Sequence, residues 1–187
     1  MSYSSKLQNR ELLKMKKIAL PLLISVLLGC AAPAQKPLSI NESTDKFTGI
    51  SEVSTDLIKL NPARSINFIK IEDKKTKGLS AVIFKYYRDS ANDNDVYLSR
   101  QWLFINNNRG HLMIDGKPYS LGNGTHTAKT AIKGGLHLIE IVAYTLNPEV
   151  VNKLAEAKAI EGKVGDSEFT LTPTQIEFIN QFAQKSL

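Results

Sequence analysis

The chain has 187 residues, with 24 Lys+Arg against 18 Asp+Glu and a formal charge of +6. Lys6, Arg10, Lys14, Lys16, Lys17 and Glu11 all precede Gly29; without them 19 basic and 17 acidic residues remain, and a balance of +2 removes the basic surface that nucleic-acid binding requires. Cys30 is the only cysteine, so an intrachain disulfide is excluded, and so is a Cys-ligated metal site in the chain that follows it.

Taken in chain order, Lys14, Lys16 and Lys17 lead into an apolar run from Ile18 to Leu28, broken only by Pro21 and Ser25. Gly29, Ala31 and Ala32 follow. A basic start, a short apolar stretch and a small-residue cleavage zone predict a secretory signal peptide over residues 1–29. The run falls short of the ~20 apolar residues that span a bilayer as a helix. Met15-Lys16-Lys17-Ile18 begins a more compact signal, which makes Met15 the expected translation start, with a longer basic lead-in as the alternative.

Leu27-Leu28-Gly29-Cys30 resembles the lipobox of bacterial lipoproteins, with an aliphatic residue three before the cysteine and a small one just before it. Leu28 is bulkier than the usual Ala or Ser, and the resemblance covers residues 15–32 only. It implies cleavage between Gly29 and Cys30, a diacylglyceryl group on the Cys30 thiol and an acyl chain such as palmitate on the new amino group. Sulfur suits this attachment, being the better nucleophile at neutral pH. Several acyl chains give the stable hold that one cannot. Ala31 stands where an inner-membrane retention signal would place Asp, so the resemblance points to the outer membrane, on the leaflet facing the periplasm. The competing expectation is a freely soluble secreted protein cut at Ala32-Pro33-Ala34.

Residues 30–45 are polar, contain Pro33 and Pro37, and read as a lipid-anchored tether; residues 46–187 read as a single β-rich periplasmic domain. Strand signals fall on Phe47 to Thr55, Ser65 to Glu72, Leu79 to Arg88 and Gln101 to Ile105. Asn61-Pro62 marks a turn, and 73–78 a charged one. His111 to Ile114 and Tyr119 to Leu121 form a hairpin around Asp115-Gly116, with Pro118 suited to an edge strand. Leu136 to Leu146 is the longest apolar strand, and Ile160 to Val164 pairs with Glu168 to Leu171 around Gly165-Asp166. Asn147-Pro148-Glu149 starts a helix running to about Lys158, and Thr172-Pro173-Thr174-Gln175 starts a second over about 173–185. The expected fold is mainly β: an antiparallel β-sandwich or open barrel with two short helices.

No motif in the domain names a reaction. His111, His126 and His137 lack the spacing of a helical metal site, and the oxygen-rich run Asp89 to Asp95 lacks the ligand spacing of a calcium loop, so no metal and no cofactor is expected. The Gly/Asn turns at 106–110 and 121–125 do not match a phosphate loop, and no serine has a nucleophile-elbow context. Tyr86, Tyr87, Tyr97 and Trp102 cluster around the acidic run, and alternation puts Tyr86 and Tyr87 on opposite faces. Tyr87, Tyr97 and Trp102 are the candidate ligand or partner contacts.

The expectation is a lipid-anchored, non-enzymatic envelope protein that binds another envelope protein or a cell-wall component. One alternative is a peptidoglycan- or glycan-binding lipoprotein that uses those aromatics. The other is a periplasmic enzyme assembled from dispersed residues such as His111, His126 and Asp115.

Overall fold

In the computed structural model, residues 37–73, 80–92, 102–132 and 136–187 are described. The chain enters the fold at Leu38. A hairpin comes first, β1 (Ile40–Thr44) against β2 (Ile50–Thr55). At its tip the Asp45 carboxylate accepts the amides of Phe47 (2.7 Å) and Thr48 (3.2 Å), and Gly49 closes the turn at φ 78°. β3 (Ile58–Asn61), β4 (Arg64–Asp73) and β5 (Ser80–Asp89) follow, then a 3₁₀ turn, Ser90–Asn92. β6 (Arg109–Ile114) and β7 (Lys117–Asn123) form a second hairpin, followed by β8 (Thr125–Ile132) and β9 (Leu136–Leu146). Helix α1 (Pro148–Glu156), β10 (Ile160–Val164), β11 (Ser167–Thr170) and helix α2 (Pro173–Ser186) complete the order.

Among the described residues the strands make two antiparallel sheets, and no barrel closes. The large sheet has seven strands in the order β1-β2-β4-β5-β9-β8, with β3 also on β4; the small one has the order β11-β10-β6-β7. Between β7 and β8 the chain returns to the large sheet at Gly124, where an added Cβ would meet the Val142 side chain and the ring of Tyr144.

Alternation decides which side chains the sheets enclose. Ile66, Phe68, Phe84, Tyr86, Val142 and Tyr144 point to the covered face of the large sheet and are buried. Their rings pack in series: Phe68 lies 5.2 Å from Phe84, Phe84 5.8 Å from Tyr144, and Tyr86 6.0 Å from Phe169 of the small sheet. The helices complete this layer. Asn147 caps α1 by accepting the Val150 amide at 2.8 Å, and Thr172 with Gln175 forms a capping box on α2. Phe182 of α2 reaches Phe68 at 5.9 Å. Asn180 and Gln184 of α2 donate to the carbonyls of Ala157 (3.0 Å) and Ala155 (3.3 Å), which the end of α1 leaves without helical partners.

On the other face of the large sheet, Ile71, Ile83, Ile139 and Ile141 are half-buried and lie outside the core cluster.

The mainly β architecture with two helices agrees with the sequence expectation, and so does the Asp115-Gly116 hairpin. Asp115 at φ 50° and Gly116 at φ 77° form a two-residue turn of the primed type, and β7, which carries Pro118, is an edge strand. β3 and β8 have no counterpart among the expected strands, and four further details differ. The stretch 30–45 read as a tether contributes β1, because Asp56 accepts the Ser39 amide (3.0 Å) and the Asn41 side chain (3.0 Å) and draws this polar segment onto β2. The strand expected from Phe47 starts at Ile50, since the Asp45 tip takes the residues before it. α1 ends at Glu156, two residues before Lys158, where Ala157 turns to extended backbone and Asp115 takes the amides of Lys158 (2.9 Å) and Ala159 (2.8 Å). In the strand expected over 101–105, the described residues 102–105 are loop and bend, because a buried carboxylate binds two of their amides. The turn expected at 73–78 extends beyond the described residues after Asp73.

Candidate functional site

β5 divides its residues between the two faces of the sheet. Tyr86 is fully buried and Tyr87 is half-buried on the opposite, isoleucine-bearing face, as alternation requires. Tyr86 meets Phe104 edge-on at 5.5 Å, which makes it a core residue, and burial raises its hydroxyl pKa. The Tyr87 hydroxyl donates to Asn67 Oδ1 at 3.2 Å, and burial first, then the Glu52 charge, raises its pKa. Tyr87 lines a cleft of about 290 Å³ with Leu57, Lys59, Ser65, Asp89 and Ile139. Leu57 is half exposed at 51%. The cleft therefore combines an apolar wall, one aromatic and a polar rim, the composition of a binding surface.

Of the other candidate contacts, Trp102 is half-buried, Tyr97 lies outside the described residues, and so do Cys30 and Gly29. No described contact joins Trp102 to Tyr87.

The same end of β5 holds a buried ionic network that sequence reasoning missed. Arg88 and Glu140 are register partners on β5 and β9, and both side chains are fully buried. Arg88 Nη1 donates to Glu140 Oε2 at 2.9 Å, and Oε2 also accepts the Leu103 amide at 3.1 Å. Oε1 accepts the Phe104 amide at 3.0 Å and meets His126 Nε2 at 3.2 Å. One carboxylate thus ties β5, β9, β8 and the loop before β6 together. An ion pair in this position stabilises only because each oxygen is multiply hydrogen-bonded; desolvation alone costs several kcal/mol per ion.

A second pair sits one residue on. His137 Nδ1 lies 2.7 Å from Asp89 Oδ1, which also accepts the Ala91 amide at 3.0 Å. His137 Nε2 is buried, and no described hydrogen bond reaches it. A histidine oriented by a carboxylate is half of a catalytic triad, but this outward nitrogen is enclosed by protein and no described nucleophile is bonded to it. Next to it, Ser90 Oγ accepts the Leu138 amide at 2.7 Å.

The three residues of the dispersed-enzyme alternative are not brought together by any described contact. His126 is held by Glu140, Asp115 by the Lys158 and Ala159 amides, and His111 is exposed on β6. The two amides hold Asp115 below the usual carboxylate range. Among the described residues no group of three or more His, Cys, Asp or Glu is placed to hold a metal ion. None of their helices is long and apolar enough to cross a membrane.

Compared with protein-family models, curated proteins and solved structures, the chain matches none.

Proposed function

We propose that this chain is a lipid-anchored protein of the bacterial cell envelope, a lipoprotein whose β-sandwich acts as a non-enzymatic binding module. The observation that carries the anchor is Leu27-Leu28-Gly29-Cys30 at the end of a short apolar run. Cys30 would carry a diacylglyceryl group and an N-acyl chain, and Ala31 favours the periplasmic leaflet of the outer membrane over the inner membrane. The partner class is another envelope protein or a cell-wall component, with no nucleic acid.

The binding role is supported by the isoleucine-bearing face and the Tyr87 cleft at its end. Asp89 of the cleft is engaged by His137, and beneath it Glu140 is engaged by Arg88 and His126. An apolar face with one tethered tyrosine suits a protein partner better than a sugar ring, because the Tyr87 hydroxyl is already engaged by Asn67.

Labelled palmitate should enter the full-length protein and fail to enter the Cys30→Ser variant. Equal incorporation in both would refute the anchor. A photo-crosslinking residue at position 83 or 87 should trap an envelope protein in cells. Retention on purified peptidoglycan that is lost on Tyr87→Ala would favour the glycan-binding reading instead.

A further inference from the structure

We propose that the side of the domain formed by β1 and α2 lies against the bilayer that holds the lipid anchor. The inference rests on the lipoprotein reading above and adds an orientation to it. From Cys30 to Leu38 is a link of eight peptide steps, at most about 28 Å when fully extended. A link so short keeps the domain surface near the headgroups at high effective concentration, so contacts too weak to bind a free domain become populated.

The link enters the domain just before β1, the outermost strand of the large sheet. α2 runs beside that strand: Leu38, Ile40, Phe178 and Gln181 line a groove of about 560 Å³ between them, and Lys185 Nζ meets Glu42 Oε1 at 2.9 Å. Past that ion pair both elements end in exposed apolar residues. The β1–β2 tip carries Phe47, 79% exposed, and the chain ends at Leu187, 68% exposed. These are the two most exposed large apolar residues of the described structure, and both belong to this one side.

The tip has the chemistry of an interfacial contact. Lys46 Nζ lies 5.0 Å from the centroid of the Phe47 ring. An aromatic ring settles at the headgroup boundary while a neighbouring ammonium reaches lipid phosphate. The Asp45 carboxylate beside them is turned to the amides of Phe47 and Thr48. Ile50, 40% exposed, extends the apolar surface at the base of the tip.

Because Cys30 is the only cysteine and its thiol would carry lipid, a cysteine introduced elsewhere becomes the one free thiol. The lipidated full-length chain, reconstituted in phosphatidylethanolamine/phosphatidylglycerol nanodiscs, would carry a nitroxide at Phe47→Cys, Leu187→Cys or Met113→Cys. Met113 lies on the outer face of the small sheet and serves as the reference. Power saturation should show oxygen accessibility exceeding that of a water-soluble nickel chelate several-fold at 47 and 187, and the reverse at 113. Phe47→Asp should reduce the oxygen preference at 187 and leave acylation unchanged. Values at 47 and 187 equal to those at 113, or protection of only one of them, overturn the orientation when mass spectrometry finds Cys30 acylated. Absence of acylation overturns the anchor itself and this inference with it.

Discussion

Arg88 and Glu140 face each other across β5 and β9 with Nη1 2.9 Å from Oε2 and neither side chain exposed to solvent. The pair sits in register at core positions of two otherwise apolar strands. Its second duty is to hold the loop before β6 through the amides of Leu103 and Phe104. Glu140→Ala would remove the carboxylate beside the buried guanidinium and release those amides. A destabilisation of about 3–5 kcal/mol is expected in denaturant titration. Hydrogen exchange at Leu103 and Phe104 should accelerate in Glu140→Gln even where global stability is largely kept, and unchanged exchange there would refute the clamp.

Alkaline pH should unfold the domain through its tyrosines. Burial raises the pKa of Tyr144 well above its ordinary value, with Tyr86 a smaller cause, and burial raises Tyr86 and Tyr87 as well. A raised folded pKa means that stability is fully present below about 10, the unfolded value, and is lost as pH rises toward the folded one. Ultraviolet titration should therefore show a fraction of the tyrosines ionising only as circular dichroism reports unfolding. A smooth titration of all tyrosines near their ordinary value, with the fold intact, would contradict the buried positions.

Asp115 acts at the opposite end of the pH scale. The Lys158 and Ala159 amides depress its pKa, so its contribution is present above the ordinary carboxylate value and disappears as pH falls through the depressed one. Asp115→Asn should lower the melting temperature at neutral pH and flatten the acid limb of the stability curve. A parallel shift at all pH values would assign the residue a purely steric role in its turn.

Ile83 tests the binding face. It is half-buried at the centre of the large sheet and lies outside the core cluster. Ile83→Lys should cost about 1 kcal/mol of stability, the scale of a strand-propensity change. The same substitution should abolish crosslinking from position 87, and undiminished crosslinking would move the partner off this face.

Gly162 stands under the ring of Phe169, where an added Cβ would overlap it. That ring packs on Phe84 at 6.3 Å and Tyr86 at 6.0 Å. Gly162→Ala should destabilise by about 1–3 kcal/mol through forced repacking. Phe169→Leu combined with Gly162→Ala should recover part of that loss in a double-mutant cycle.

What the sequence disclosed divides along a physical line. Local chemistry was legible: Asn147-Pro148, Thr172 with Gln175 and Asp115-Gly116 act through neighbours a few residues away, and each is found where its residue types predict. Apolar alternation likewise separated Tyr86 from Tyr87. The polar strands were not legible. β1 is Ile-Asn-Glu-Ser-Thr and lies almost wholly exposed, so no buried face imprints a period on it, and β8 opens Thr-His-Thr-Ala-Lys-Thr for the same reason. The Arg88–Glu140 pair did leave a trace, a charge of opposite sign at a core position in each of two apolar strands. Reading it as a pair requires knowing that β5 neighbours β9 across 52 residues of chain. The failed strand before β6 follows from that pair, since its amides bond to a carboxylate and no local pattern announces such a partner.

The contact between Lys185 and Glu42 spans 143 residues, and Lys70 Nζ reaches the Lys185 carbonyl at 3.4 Å. The earliest strand of the domain is therefore finished by its latest helix. α2 follows every described strand in the chain, so during synthesis β1 waits without its cover until α2 emerges. Phe68 waits with it, since Phe182 arrives only in α2. The cover of the first strand is thus held in α2, Pro173–Ser186. Removing α2 would leave the first hairpin unsealed.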